Sequence, residues 1–280
     1  MVYSDQFDAQ EKRMSFFDHL EELRKHLIRS VVAVFALSIW AFVRRDIIFD
    51  QILLAPKSPD FITYRTMCAL SRRFDWLKGL CVEQVDFTLT NIHITGQFMQ
   101  HMTISFVAGI VMAFPYLVFE LWRFVKPALY PGEQSSMSGL VVAMACLFFI
   151  GICFGYFLLA PISILFLGSY QVSTEVANTI TLQSYAGMLS TLVLASGLIF
   201  ELPVLAWFLA KAGILTSDWL RSNRRIAVVV NMIVAAVITP SDVGSMILMS
   251  FPLLLLYEVS IAVVSRAERN KRSTFSPERA

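Results

Sequence analysis

The chain has 280 residues, of which 56% are hydrophobic and only 16% are charged, and its mean hydropathy is +0.64. A soluble domain of this size hides its apolar side chains behind a charged surface, and this composition leaves too few charged residues to form one. The sequence therefore favours lipid as the solvent and excludes disordered, collagen-like and coiled-coil classes. A formal net charge of +2 gives no reason to expect nucleic acid as a partner, and four cysteines are too few for a disulfide scaffold.

Six charge-poor runs are predicted to cross the membrane, because an unpaired charge at the bilayer centre costs about 2.5 to 3.5 kcal/mol. They lie at about residues 27–43, 99–119, 137–159, 185–210, 226–238 and 245–264. The fifth run is short, because its helix would be about 20 Å long against a hydrocarbon core of about 30 Å. It is either a buried or re-entrant helix or a span that thins the bilayer locally. We favour the span, because it places the flanking basic segments on one face.

The distribution of Lys and Arg predicts the orientation of these spans. With six crossings, 16 of the 23 Lys and Arg residues fall on the face that carries both termini, and the other seven lie in one long loop opposite. Positive charge gathers on the cytoplasmic side, so both termini are expected there. The chain then divides into a cytoplasmic amphipathic helix within residues 1–26, a membrane domain at 27–264 with an enlarged outer loop at 44–98, and a basic tail at 265–280. The charged first 26 residues do not have the pattern of a cleavable signal peptide.

The segment before the first span is predicted to form an amphipathic helix. Ser15 and Asp18 have the spacing of a helix cap. An apolar stripe follows, made of Phe16, Leu20, Leu23 and Leu27. The polar face carries Asp18, Glu21, Glu22, Arg24, Lys25 and His26. On such a helix the simplest interpretation is a solvated face on which Glu21 pairs with Lys25.

Glu201 interrupts the fourth run and is followed by Pro203. Ionisable residues inside spans usually face a bundle interior, a cavity or a partner, which favours a functional role. The alternative is a protonated glutamate that hydrogen-bonds a neighbouring backbone group. Asp242 follows Pro240 in the turn between the fifth and sixth runs, where an aspartate more often caps a helix than binds a ligand.

The four cysteines fall into two pairs. Cys68 and Cys81 lie in the long outer loop, where an oxidising periplasm permits a disulfide. A straight helix between them would hold them about 20 Å apart, whereas a bridge needs less than about 7 Å, so they are bridged only if the segment turns back. Both outcomes stay open. Cys146 and Cys153 are predicted to be small apolar core residues of the third span.

The sequence contains no nucleotide-binding loop, zinc-protease motif or nucleophile elbow. Its four histidines do not cluster in the sequence. We therefore expect no catalysis, no metal and no cofactor.

Five segments, in collinear order from about residue 15 to 265, resemble signatures of TatC, the multispanning subunit of the twin-arginine protein translocase. They are His19-Leu-Glu-Glu-Leu-Arg24; Phe114-Pro115 with Trp122-Arg-Phe124 and Lys126-Pro-Ala-Leu-Tyr130 up to Glu133; Phe200-Glu-Leu-Pro-Val204; Ile238-Thr-Pro-Ser-Asp242; and Pro252 with Leu256-Tyr-Glu258. Two features depart from the family pattern. Ser241 stands where relatives commonly have a second proline, and the first outer loop is longer by about twenty residues.

The resemblance implies an all-α polytopic fold, a concave bundle of six transmembrane helices in the bacterial cytoplasmic (inner) membrane. It implies a receptor for signal peptides that carry two consecutive arginines. The acidic signature residues fall on Glu22 and Glu133, and paired guanidinium groups require carboxylates held in a fixed geometry that lysine would not satisfy. Leu20, Arg24, Phe124, Pro127, Leu129 and Tyr130 would shape and support this site.

The resemblance also implies partners. Glu201 and Pro203 would dock the single-span subunit TatA, and TatB where a separate TatB exists, while Pro240 and Asp242 would be structural. Folded precursor proteins would be moved by the proton-motive force, within a receptor complex that holds several copies of this chain among membrane lipids. The rival class is a secondary transporter or channel for a small solute. That class predicts an inverted repeat and several buried charges around a midplane cavity, and neither is evident in the sequence.

Overall fold

The computed structural model describes residues 16–73, 88–125, 138–171, 173, 179–239 and 243–274, and this part of the chain is almost entirely helical. Its helices are α1 (Phe16–Val43), a π-helical segment (Asp46–Leu53), a 3-10 turn (Ala55–Lys57), α2 (Ile62–Arg73), α3 (Gly96–Val125), α4 (Ser138–Phe154), a second π-helical segment (Gly155–Leu159), α5 (Ala160–Ser169), α6 (Leu182–Phe200), α7 (Leu202–Lys211), α8 (Ser217–Ser222), α9 (Arg224–Ile238) and α10 (Val243–Thr274). Two short strands, β1 (Leu89–Thr90) and β2 (Ile180–Thr181), pair in parallel with Leu89 opposite Ile180.

Five helical stretches in the described residues are long and apolar enough to cross a membrane. They are His19–Val43, Gly96–Val125, Gly139–Ser169, Leu182–Lys211 and Val243–Arg269. The prediction of an all-α polytopic membrane protein is confirmed. Helix α9 has 15 residues, about 22 Å, which is shorter than a hydrocarbon core of about 30 Å. The count of six spans therefore stays a prediction.

Helix α1 joins the predicted amphipathic helix to the first span without a break. Glu21 and Lys25 form the predicted surface ion pair, with 2.8 Å between Oε1 and Nζ. The apolar stripe at Leu20, Leu23 and Leu27 points away from the protein, and Leu27 is 60% exposed. The face of α1 that packs on the bundle is instead the one that carries His26, which is buried.

Small residues allow two pairs of helices to pack closely. A Cβ atom added to Gly109 of α3 would lie 2.0 Å from Ser38 Oγ on α1. The backbone of α3 at Gly109 therefore contacts the Ser38 side chain of α1 directly. A Cβ on Gly155, just after α4, would lie 2.1 Å from Ser196 Oγ and 2.9 Å from the Leu192 carbonyl oxygen on α6. Ser196 Oγ also donates a 2.8 Å hydrogen bond to the Gly151 carbonyl oxygen. The Gly151 and Gly155 pair therefore serves packing within one chain.

We expect Gly155→Ala to destabilise the protein by about 1 to 3 kcal/mol, because the added methyl meets the α6 backbone, which does not move as a side chain would. Gly187→Ala on α6 is the matched control, since no atom lies within 4 Å of its Cβ position and alanine is the better helix former. Thermal unfolding in detergent measures both. Equal stability of the two variants would contradict close packing at Gly155.

Tyrosine hydroxyls form hydrogen bonds that hold the first half of the outer loop against the bundle. Tyr185 on α6 donates a 2.8 Å hydrogen bond to the Leu53 carbonyl oxygen, and Tyr156 donates one of 2.7 Å to that of Ile52. Tyr64 on α2 is buried, and its hydroxyl lies 3.0 Å from the Pro56 carbonyl oxygen. Burial raises the pKa of Tyr64 to about 12, because the charged phenolate is poorly solvated there.

The cysteines differ from the prediction in one respect. Cys68 is disulfide-bonded, while its predicted partner, Cys81, lies outside the described residues, so that pairing stays a prediction. Cys146 and Cys153 are free thiols and both are exposed. The expectation that they pack in the core is wrong, because the faces of the third span that they occupy point outward and, for Cys153, into a cavity.

Candidate functional site

Two rows of polar residues meet where the N-terminal half of α1 crosses the C-terminal end of α3. Glu22 and His26 are four residues apart on α1, and Tyr116 and Glu120 are four apart on α3, so each pair projects from one face of its helix. The two helices run antiparallel, because His26 meets Glu120 near one end of the pair and Phe42 meets His101 near the other. These rows therefore face each other at the end of the bundle that we predict to be cytoplasmic.

Glu120 is the centre of this cluster. Its side chain is only 2% exposed, and its Oε2 atom is hydrogen-bonded to Nδ1 of His26. The Tyr116 hydroxyl donates a 2.8 Å hydrogen bond to the other oxygen, and Arg123 Nη1 lies 3.6 Å from that same oxygen. A buried carboxylate is stable only when its lone pairs are satisfied, and here three side chains from two helices satisfy them.

Glu22 lies on the open side of the same cluster. Its Oε1 atom is 4.0 Å from Nε2 of His26, whose other ring nitrogen is held by Glu120. The side chain of Glu22 is 30% exposed, and its Oε2 atom is buried without a hydrogen-bond partner among the described residues. The side chain of Glu22 is thus partly accessible from outside, while its unpaired oxygen is buried and becomes available to a guanidinium donor only if the carboxyl turns outward.

Aromatic contacts hold the two helices together beside the acids. The rings of His19 and Phe124 stack with centroids 4.5 Å apart, and His26 meets the edge of Phe124 at 6.2 Å. Phe124 therefore packs against His19 and His26 beside the acids, and its role in a binding site stays a prediction. Leu20 and Arg24 are exposed on the other side of α1, and the contacts among described residues do not bring them into the cluster.

Several predicted site residues fall outside the part of the chain that the structure describes. They are Pro127, Leu129, Tyr130, Glu133, Pro240 and Asp242. Their assignments remain predictions. Val125 is the last described residue of α3, so the segment that carries Glu133 begins at the end of the helix that holds Glu120 and Phe124.

Glu201 lies at a break between α6 and α7, ten residues before the end of the fourth span. Pro203 stands in the first turn of α7, where a missing N–H costs least, and this explains why the helix restarts there. The carboxyl of Glu201 faces the Phe148 backbone on α4. Both of its oxygens are buried, and neither makes a hydrogen bond of normal geometry with a described residue. Because the carboxyl lies beside the Phe148 backbone, the alternative of a protonated glutamate that hydrogen-bonds a backbone group stays open.

A cavity of about 880 Å³ lies near the opposite end of the bundle, between the outer loop and α3, α4 and α6. Its walls are mostly aliphatic and aromatic, and its charged lining residues are Asp50 and Asp60 from the outer loop. Across the described ranges no three His, Cys, Asp or Glu side chains are grouped as metal ligands would be. The rival transporter class predicts a midplane cavity ringed by charges. This cavity, whose walls are mostly apolar, does not resemble one.

Sequence reasoning missed His26, Tyr116, Glu120 and Arg123 as members of the site. Glu120 and Arg123 were visible as the first charged residues after the second run, and His26 as the last polar residue before the first. Charged residues at such depth usually have partners. His26 and Glu120 are 94 residues apart in the sequence. Only the packing of α1 on α3 shows that they are partners.

Comparison with known proteins identifies the family of the chain. The family described as Sec-independent protein translocase protein (TatC) matches residues 18–252. The TatC protein of Blattabacterium sp. subsp. Periplaneta americana is 34% identical over 263 residues, which cover 94% of this chain and 99% of that protein. The TatC protein of Carboxydothermus hydrogenoformans is 35% identical, with 96% of this chain and 99% of that protein covered.

Solved structures lead to the same family. A crystal structure described as the twin arginine translocase receptor TatC superposes with a TM-score of 0.67 at 30% identity, covering 89% of this chain and 99% of that one. A second, determined in DDM, gives 0.68 at 30% identity, covering 88% of this chain and 98% of that one. Members of this family are components of a protein transport system and not catalytic enzymes. The chain belongs to the TatC family of Sec-independent protein translocases.

Proposed function

We propose that this chain is the receptor subunit of the twin-arginine translocase and binds Arg-Arg signal peptides at the cytoplasmic face of the inner membrane, with both of its termini in the cytoplasm. The observation that carries the proposal is the partly exposed Glu22 side chain beside the buried Glu120 and His26 pair. Glu22 presents a buried oxygen without a partner in the described residues, and its helix is fixed against α3 by the contacts of Glu120. The name of the similar crystal structures, a twin arginine translocase receptor, supports the same assignment.

Arginine recognition follows from the geometry of the charges. A guanidinium group offers a planar set of donors that can bind one carboxylate with two parallel hydrogen bonds, whereas a lysine ammonium is a point charge. Glu22 supplies one carboxylate, and Glu133 is proposed to supply the second. Leu20, Arg24, Pro127, Leu129 and Tyr130 complete the proposed site.

The affinity of the purified protein for an Arg-Arg signal peptide, compared with the same peptide carrying Lys-Lys, tests this function. We expect a preference of tenfold or more for Arg-Arg, equivalent to about 1.4 kcal/mol. Binding should weaken as salt is added, because the carboxylates are partly exposed. If neither peptide binds to folded protein, even with TatA and TatB added, the receptor assignment is wrong.

Export by this complex is proposed to use the proton-motive force and to depend on TatA, and on TatB where it exists, with Glu201 and Pro203 at the docking site. The carboxyl of Glu201 is costly to keep in a span without a partner, which supports a role in contacting another subunit. The rival function, transport of a small solute, has no comparable support, since the large cavity lacks a ring of charges.

Replacing Glu201 with Ala is expected to leave Arg-Arg peptide binding unchanged and to lower export several-fold, because Glu201 lies in a different span from Glu22 and is proposed to contact another subunit. Glu201→Gln is the matched control, because it keeps the shape and hydrogen-bonding ability and should retain more export. Peptide binding by purified protein and transport of a folded precursor into inverted vesicles measure the two activities. Equal loss of both would mean that Glu201 stabilises the bundle.

A further inference from the structure

Helix α2 buries three hydroxyl-bearing residues against the protein and exposes two aliphatic side chains on its other side. Thr63, Tyr64 and Ser71 are buried. On the other side of the helix, Ile62 is 58% exposed and Leu70 is 48% exposed. In water such an arrangement would leave aliphatic surface uncovered next to buried hydroxyls. Exposed aliphatic side chains next to charged ones are compatible with a helix that lies at a membrane surface.

The hydrogen bonds of α2 place it at a membrane surface. Thr63 Oγ1 donates to the Phe157 carbonyl oxygen, and the Tyr64 hydroxyl donates a 3.2 Å bond to that of Pro161. The helical stretch Gly139–Ser169 has 31 residues, about 46 Å, whereas a hydrocarbon core of about 30 Å takes up about 20 residues. The third span is predicted to end at about residue 159, between the two carbonyl oxygens that accept from α2. Helix α2 is therefore bonded to the third span near the boundary between the hydrocarbon core and the lipid headgroups. This boundary is on the side of the membrane opposite the Glu22 site.

Three arginines share the exposed side of this helix. Arg65, Arg72 and Arg73 are all exposed, and none of them has an ion pair or side-chain hydrogen bond with a described residue. Arg65 and Arg72 are seven residues apart and lie in one row along the helix. A helix that combines exposed aliphatic side chains with unpaired arginines has the composition of an interfacial helix that binds anionic lipid.

We propose that α2 is a lipid-binding helix of the enlarged outer loop. Ile62 and Leu70 enter the outer leaflet, and Arg65, Arg72 and Arg73 bind the phosphate groups of anionic phospholipids. The guanidinium groups suit phosphate because they bind it with paired hydrogen bonds. The lipid contact attaches the outer loop to the surface of the bilayer. The hydrogen bonds of Thr63 and Tyr64 attach the same loop to the helical bundle. The inference depends on the membrane placement of the helices and not on the binding of signal peptides.

The test uses the full chain in nanodiscs that contain a trace of photoactivatable phospholipid, either phosphatidylglycerol or phosphatidylcholine with the same reactive acyl chain. Labelled peptides are mapped by mass spectrometry. We expect the phosphatidylglycerol probe to label residues 62–73 at least about fivefold more than the phosphatidylcholine probe, given the attraction of each arginine to an anionic surface. Arg65→Gln with Arg72→Gln and Arg73→Gln should lower the labelling to the phosphatidylcholine level.

The matched control removes three exposed arginines from the opposite face, as Arg221→Gln with Arg225→Gln and Arg269→Gln. It changes the net charge equally and should leave the labelling of α2 unchanged. Thermal unfolding of both variants shows whether they are folded. Equal labelling by the two lipids, or a preference that survives loss of the α2 arginines, would overturn the proposal. Absence of labelling by either probe would also overturn it, since α2 would then face water or another protein.

Discussion

Replacing Glu22 and Glu133 together by Gln should reduce the affinity for an Arg-Arg signal peptide by about 100-fold or more while leaving the protein folded. Each charge-assisted hydrogen bond is worth about 1.5 to 3 kcal/mol, and the double variant removes the charge from both proposed acceptors. Glu22 is partly exposed, so the amide is tolerated without a buried charge being left behind. Binding of a labelled peptide to detergent-purified protein measures the effect.

Glu21→Gln provides the control for this experiment. Glu21 is the neighbour of Glu22 in the sequence, is exposed, and already pairs with Lys25. Its replacement changes the net charge as Glu22→Gln does but leaves the site intact, so the affinity should change by less than about threefold, as for a surface ion pair. Unchanged binding by the double variant would refute the site assignment. An equal loss with Glu21→Gln would show that general negative charge, and not a defined site, attracts the peptide.

Replacing Glu120 by Ala should lower both the stability of the protein and its preference for Arg-Arg over Lys-Lys. The change leaves the buried His26 Nδ1 without its partner, at a cost of about 1 to 3 kcal/mol, and it removes the acceptor of the Tyr116 hydroxyl, which is exposed to its surroundings and loses less. It also removes the hydrogen bond that holds α1, and with it Glu22, against α3. Glu120→Gln keeps an acceptor for Tyr116, and we expect a smaller loss of stability from it.

The ratio of the two affinities distinguishes a positioning role of Glu120 from a merely structural one. Partial unfolding would lower binding of Arg-Arg and Lys-Lys peptides alike, whereas a misplaced Glu22 loses the two-bond geometry that only arginine uses. Glu258→Ala is the control, because Glu258 also joins two helices, through Arg224 at 2.9 Å, but far from the site and half-exposed. An unchanged ratio in Glu120→Ala would show that Glu120 only stabilises the bundle.

Glu22 and Glu120 show which candidate site residues a sequence pattern can identify and which it cannot. Glu22 could be assigned from the sequence because it stands in a short signature on a helix whose face is set by the 3.6-residue period. Glu120 could not, because its signal, a single charge at the end of an apolar run, is shared by many solvated residues. The same holds for the apolar stripe at Leu20, Leu23 and Leu27. Its period predicted a helix, but in a membrane protein an apolar face does not tell lipid contact from protein contact.

The sequence by itself determined that this is a polytopic helical membrane protein and where its long helices lie, because an apolar run in lipid must satisfy its own backbone hydrogen bonds and does so as a helix. Signature residues determined its family. Only the tertiary structure decided that His26 meets Glu120, that Ser38 meets Gly109, and that α2 exposes Ile62 and Leu70 while burying Tyr64. These contacts depend on the register and rotation of one helix against another, which are set by the fit of many side chains across the interface and not by the local composition of either helix.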